Sequence, residues 1–294
     1  MWLLFATLTV IFWGTSETVF KKSTKGDEHS VAHLLAYNGV FFGITGAIYM
    51  LIVYKGFHFD FINVLKYLPI GSVYILSMWS YYHAMKAVKI SIVSPIVNTS
   101  CLVTVLLSIF ILGQHPSAMN IVAIVLIIFS LVMLSINKTP EDDTEKIKIK
   151  PKMSIYIFGL IFAFGYFILD GVASFLDAYA LEGRMIEDDM LISHALISFT
   201  VGIGCYIYLK IKDRAYKFEL DKPKLMGSAL ETAGEFTFIY ALGSGMASIV
   251  SPFVASYSVV TIILSRLFLK EKLKPRQYIW ITLVLLGVVL LSIE

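Results

Sequence analysis

Four carboxylates stand where a strongly apolar chain can least accommodate them. Glu17, Asp170, Glu231 and Glu235 all fall inside hydrophobic runs. An ionisable group at the centre of a membrane helix costs at least ~2.5–3.5 kcal/mol, so each one asks for a reason. Glu17 follows Trp13 by four residues, one helical turn on the same face. A carboxylate beside an aromatic plane suits a cationic or zwitterionic head group, through charge attraction and cation–π contact. Its competing role is a helix-end pair with Lys21 or Lys22. Glu231 and Glu235 are again four apart. Two carboxylates on one face repel, which favours holding a proton or a cation. Glu235, near the middle of its run, is the leading single candidate, and Glu231 lies closer to the cytoplasmic end. Asp170 is expected to line a cavity in the outer half of the membrane, whereas Asp177, two turns later, is expected at a solvated helix end.

Aromatic and polar residues supply the remaining candidates. Tyr74, Trp79, Tyr81, Tyr82 and His83 crowd one segment, and Tyr74 and Trp79 are too far apart in phase to share a stripe. Interfacial belts account for most such aromatics. Asn98 and Tyr257 follow Pro95 and Pro252 by three and five residues and are candidate polar contacts. The segment from Asp177 to Asp189 holds five acids against Arg184, either a vestibule that concentrates cations or a solvated face. Arg266, one turn from a helix end, is expected to anchor by snorkelling.

The elements that must position these groups follow from composition. Of 294 residues, 57% are hydrophobic and 15% charged, against the ~25% charged of soluble domains. Runs of ~18 or more apolar residues mark spanning helices. Ten are predicted, over 2–20, 31–53, 67–86, 91–112, 119–136, 154–174, 190–209, 225–243, 248–269 and 277–293. The first lacks the basic flank and cleavage site of a secretory signal and reads as a permanent helix. Loops after segments 1, 3, 5, 7 and 9 hold 20 Lys and Arg, and those after 2, 4, 6 and 8 hold 3. Cytoplasmic loops retain positive charge, so both termini are expected outside and the 137–153 linker in the cytoplasm.

An internal repeat lies beneath this pattern. A shift of 157 residues lays Ser91-Ile-Val-Ser-Pro95 on Ser248-Ile-Val-Ser-Pro252, and Thr104 on Thr261, without a gap. In this register Tyr74 and Met78 correspond to Glu231 and Glu235, and are expected on the face opposite the carboxylates. Residues 1–136 and 154–294 then form two units of five helices. Two odd units in tandem sit upside down relative to each other, an arrangement that places a substrate near the bilayer midplane. The expected fold class is an all-α integral membrane protein of two inverted five-helix repeats around a central cavity.

Phe12-Trp13-Gly14, the Ala-Leu-x₅-Ser-Ile-Val-Ser-Pro run at 241–252, and Leu269-Lys-Glu-Lys-Leu273 make the chain resemble EamA-type members of the drug/metabolite transporter superfamily. The first unit departs from the pattern, with Gln114 where the family commonly has Glu, the position matched by Glu271. For Glu271 a loop-end cap or salt bridge is expected. The resemblance implies a ten-helix carrier with a central cavity, usually an exporter or exchanger.

The chemistry excludes other classes. No Walker-type phosphate loop occurs, and no basic cluster interleaved with aromatics points to nucleic acid. Cys101 and Cys205 are isolated in apolar runs and read as packing residues. Only His29 and His33 have metal-like spacing among six dispersed histidines, and neither a metal nor a cofactor is expected. The expected partners are a small polar substrate, membrane lipid, and a coupled proton or cation, with homodimerisation open. The competing reading is a polytopic membrane enzyme acting on a lipid or polyprenyl substrate. A channel is a third, disfavoured by the repeat.

Overall fold

The computed structural model describes residues 1–293 apart from 24–29, 55–58, 89, 137–152, 184, 213, 215–220 and 270–272. The linker, His29, Arg184 and Glu271 therefore lie outside the described residues. All regular structure among the described residues is helical: α1 (Trp2–Ser23), α2 (Ser30–Val53), α3 (Ile62–Ala87), α4 (Ile90–Val97), α5 (Cys101–Phe110), α6 (Ala118–Ile136), α7 (Met153–Glu182), α8 (Glu187–Lys212), α9 (Lys222–Ser244), α10 (Ala247–Ala255), α11 (Tyr257–Leu269) and α12 (Pro275–Ser292).

These twelve make ten membrane segments, because α4/α5 and α10/α11 are each one crossing with a break. Seven crossings are long and apolar enough to span a membrane on that ground alone. The other three are α3, α4/α5 and α9. Lys66, Pro69 and several tyrosines lower the hydropathy of α3, and Glu231 and Glu235 lower that of α9. A helix can carry such groups at membrane depth only when neighbours shield them. The outer surface has the opposite character. Val122, Val125 and Phe129 of α6 and Leu285, Leu286 and Val289 of α12 are exposed, an apolar shell suited to lipid and far larger than soluble proteins tolerate.

Lipid gives no hydrophobic drive for helix association, so close packing of small residues must hold the bundle. The chief partners run between the two halves of the chain: α1 with α9 and α11, α3 with α7, α2 with α8, and α6 with α12. At the α2–α8 crossing the backbones touch. A Cβ on Gly39 would meet Ser198 O and the Gly202 backbone, and Gly46 faces Ala195. The two helices therefore run antiparallel.

The breaks are local tightenings. Thr99 N, Ser100 N, Leu102 N and Val103 N each reach back only three residues, as do Ser256 N and Val259 N, the 3₁₀ pattern that often marks a hinge. A foreign glycine approaches each break. A Cβ on Gly171 would lie 2.6 Å from Val103 and also strike Ser100 O. One on Gly14 would lie 2.6 Å from Val260 and 2.9 Å from Tyr257 O. Thr104 Oγ1 donates to Gly171 O at 2.9 Å, and Thr261 Oγ1 lies 3.3 Å from Gly14 O. The equivalents are 157 apart throughout: Gly171 follows Gly14 by that number, and Tyr257, Val260 and Thr261 follow Ser100, Val103 and Thr104.

Candidate functional site

One end of the bundle holds the starts of α1, α3 and α8 and the end of α7; the end of α6 and the start of α7 lie at the other. Three polar layers lie between them.

At the first of these ends, the acids that open α8 are tied to phenols and amides. Asp188 Oδ1 accepts from Tyr49 and Tyr240, both at 2.6 Å. Asp189 accepts from Tyr54 and, at 2.8 Å, from Asn63 Nδ2. Burial and the Asp189 carboxylate hold the Tyr54 phenol above its ordinary range. Beside this layer is a cavity of about 400 Å³ lined by Gln114, Ala178, Glu182, Glu187 and Gly243. Gln114 is held in place there, donating to Glu182 at 3.1 Å and accepting from Ser248 N and Oγ at 3.0 and 2.9 Å. The sequence alternatives for this acidic segment were a vestibule or a solvated face; Asp188 and Asp189 do neither alone, because they brace α8 against α2, α3 and α9.

The second layer lies deeper. Tyr67 Oη donates to Asp177 Oδ1 at 2.9 Å, and Tyr74 Oη to Asp177 Oδ2 at 2.7 Å. His194 stacks on Tyr74 with ring centroids 5.8 Å apart, and its Nδ1 is 3.3 Å from Tyr67 Oη. The same Nδ1 is 3.1 Å from Glu235 Oε1. That approach brings the two groups together without the angle of a directed hydrogen bond, and Glu235 Oε1 is buried with no hydrogen-bond partner among the described residues. Tyr67 and Asp177 are 0% exposed.

The third layer joins α1, α7, α9 and the two breaks. Trp13 Nε1 donates to Glu231 O at 3.3 Å, and its ring meets Tyr257 edge-on at 6.0 Å. Ser100 donates to Asp170 Oδ2 at 2.7 Å, with Tyr166 nearby. Thr261 donates to Glu17 Oε2 at 2.7 Å. Glu17, Asn98, Ser135, Ser258 and Thr261 line a void of about 30 Å³, room for about one water molecule. Asn98 Nδ2 reaches Ser94 Oγ and Ser135 Oγ, both at 3.2 Å.

The sequence candidates thus divide. Trp13, Glu17, Asp170, Glu231, Asn98 and Tyr257 gather in the third layer; Glu235 and Tyr74 belong to the second. Glu231 and Glu235 have different nearest neighbours, Glu235 Oε1 lying 3.1 Å from His194 Nδ1 and Glu231 lying beside Ser16, while the two carboxylates remain close enough to act on each other. Three expectations need correction. Trp79 is 52% exposed and packs on His83 and Phe162, away from all three layers. Met78, expected opposite the carboxylates, is 40% exposed on the outside of α3. Asp177 is no solvated helix end: α7 continues to Glu182, eight residues beyond the predicted stop, and carries Asp177 into the bundle. Arg266 is exposed 5.2 Å from the Tyr278 ring, in keeping with an anchor.

His194 and Tyr67 escaped notice because each looks solitary in the sequence. A signal was present. Asp170 and Asp177 are seven apart, as are Tyr67 and Tyr74, and seven residues is two turns along one helix face.

The comparisons with known proteins fit this architecture. The model of the EamA-like transporter family matches residues 1–136 and again 154–293. An uncharacterised protein of Methanocaldococcus jannaschii is 42% identical over 70 residues, 24% of this chain and 51% of that protein, so the match spans about half of the relative's length. A crystal structure of a protein 14% identical aligns over 99% of this chain and 96% of its own with a TM-score of 0.74, a likeness of fold. With the family pattern covering nearly all of a ten-segment helical bundle, the chain belongs to the EamA-like transporter family.

Proposed function

We propose that this protein is a secondary active transporter, an exporter or exchanger coupled to a proton or ion, for a small polar metabolite of cationic, zwitterionic or amino-acid-like character. The observation that carries this reading is the third layer. Trp13, Tyr257, Glu17, Glu231 and Asp170 converge at mid-depth from α1, α7, α9 and α11, where the halves of the chain meet. A carboxylate-rich, aromatic-walled site with no described Lys or Arg among its contacts attracts positive charge by Coulomb and cation–π terms together. It resides in the cell membrane, with both termini outside and the linker in the cytoplasm, as the distribution of Lys and Arg argues.

The two halves act as inverted repeats, 1–136 and 154–294. The matched contacts of Gly14 and Gly171 with the two broken helices support this. So does the antiparallel meeting of α2 and α8, which are each other's equivalents, because a two-fold axis relating antiparallel helices lies perpendicular to them, in the membrane plane. Rocking of one half against the other at the two breaks would expose the third layer to each side in turn.

Purified protein in liposomes tests the function. Labelled amino acids, choline-like amines and sugars are offered with and without a pH gradient, and the compounds that enter are repeated with Glu231→Gln. Saturable uptake and counterflow of a cationic or zwitterionic compound, weakened by Glu231→Gln, is the expected result. Uptake confined to sugars or anions would refute the substrate class.

A further inference from the structure

The second layer is not needed to explain how a substrate is held, and it is built unlike the third. Four helices contribute to it: Tyr67 and Tyr74 from α3, Asp177 from α7, His194 from α8 and Glu235 from α9. Both oxygens of Asp177 are already taken by phenolic O–H donors. Glu235 Oε1 is the buried oxygen left without a donor, 3.1 Å from the imidazole. His194 and Glu235 keep 15% and 16% side-chain exposure, while Asp177 keeps none. The Asp177 carboxylate is thus sealed, and of the three titratable groups only His194 and Glu235 keep any exposure.

Its charge does not balance. With both carboxylates ionised and the imidazole protonated, the three groups sum to one negative charge in a low-dielectric interior, where an uncompensated charge is expensive. Among the described residues the neighbouring titratable groups do not supply the missing positive charge: Lys66 of α3, next to Tyr67 in the chain, turns to Asn63 Oδ1 at 3.3 Å in the first layer. On α7 there is Asp170, on α9 Glu231 and Tyr240, on α1 Glu17, on α8 Asp188, and on α2 Tyr49, whose hydroxyl is committed to Asp188. Lys224 of α9 lies toward the end where α7 starts, 3.7 Å from Asp221.

Resting on the carrier reading above, we infer that Asp177, His194 and Glu235 form the coupling site of this transporter, and that its ligand is a proton. One proton from water binds, making a carboxylic acid at Glu235 with His194 as the shared partner, and neutralises the cluster. It leaves to water on the other side, and the negative charge returns. A metal cation fits less well, since among the described residues no three His, Cys, Asp or Glu groups are placed to hold one. The Asp177 oxygens that would ligate it are occupied by donors. His194 and Glu235 connect α8 and α9, so the protonation state alters how those helices are held together. Glu231 of the third layer stands one turn along α9 from Glu235, which gives substrate and proton a common helix through which to influence each other.

Proton binding can be measured without knowing the substrate. Infrared difference spectra of the lipid-reconstituted protein are recorded on stepping the pH at constant sodium, and on stepping sodium at constant pH. Wild type should show a carboxyl band that appears and disappears with pH and ignores sodium. Glu235→Gln should lose it, and His194→Gln, which keeps both acids, should move its midpoint. Asp177→Asn is read only if it remains monodisperse; Glu235→Gln and His194→Gln carry the test. A band that persists unchanged in both, or one that responds to sodium instead, overturns the inference. The same variants are then placed in the liposome assay with the compounds wild type carries. Loss of pH-driven accumulation with counterflow kept within about twofold supports a separate coupling site. Accumulation that persists in Glu235→Gln refutes coupling while leaving the carrier intact. A titrating band in a protein that carries nothing refutes the carrier reading and the coupling role, leaving only proton binding.

Discussion

The α2–α8 crossing permits a sharp test of what holds the bundle together. The perturbation is Gly39→Ala, with Gly204→Ala on α8 as its control. A Cβ on Gly39 would lie 2.6 Å from Gly202 Cα and 2.9 Å from Gly202 N, and would also strike Ser198 O. These are backbone atoms on another helix, and no rotamer change moves them. Ordinary carbon contacts are ~3.5–4.0 Å, so α2 and α8 must part by about 1 Å. A gap of that size forfeits a quarter to a half of each contact's attraction, in line with the ~1–3 kcal/mol measured for overpacked cores. Alanine's helix propensity returns about 1 kcal/mol, leaving a net loss of roughly 0–2 kcal/mol. Gly204 has nothing within 4 Å of its would-be Cβ, so there alanine brings only the propensity gain. The propensity term is common to both variants and cancels between them. Reversible unfolding in mixed micelles should therefore separate the two by about 2 kcal/mol, roughly thirtyfold in the unfolding equilibrium. Equal unfolding free energies would refute backbone contact at this crossing.

Two further outcomes follow from the layers and a third from the distribution of Lys and Arg. Trp13→Ala should raise the half-saturation for a transported cation by roughly 2- to 30-fold, the ~0.5–2 kcal/mol of a cation–π contact, while exposed Trp79→Ala leaves it unchanged; equal effects would mean that Trp13 is not at the substrate. The Tyr54–Asp189 contact should stabilise fully below the ordinary tyrosine range, about pH 10, and fade as pH rises through the raised Tyr54 value. Unfolding measured against pH should show wild type and Tyr54→Phe converging in alkali, and a gap that stays constant there would rule the contact out as the cause. A reporter fused after Glu294 should be accessible from outside intact cells, and a cytoplasmic signal would reverse the proposed orientation.

Much of this was open to reading in the chain itself, because lipid constrains a sequence harshly. Apolar run length set the crossings, with observed ends close to those expected except where α3 begins at Ile62 and α7 runs on to Glu182. The cost of charge in lipid singled out Glu17, Asp170, Glu231 and Glu235 as residues with a purpose. What one sequence could not disclose was convergence. Asp177 looked like a helix end because the acids after it marked a boundary; only the packing of α3 on α7 brings Tyr67 and Tyr74 to its two oxygens and makes burial tolerable. His194 was one of six scattered histidines until α8 and α9 set it 3.1 Å from Glu235. Trp79 erred in the other direction, since five residues beyond Tyr74 a helix has turned by about 500° and presents another side. Hydrophobicity is a property of each residue in turn and can be read along the chain. Neutralising a buried charge depends on groups from several helices meeting at one point, and only the tertiary structure decides that.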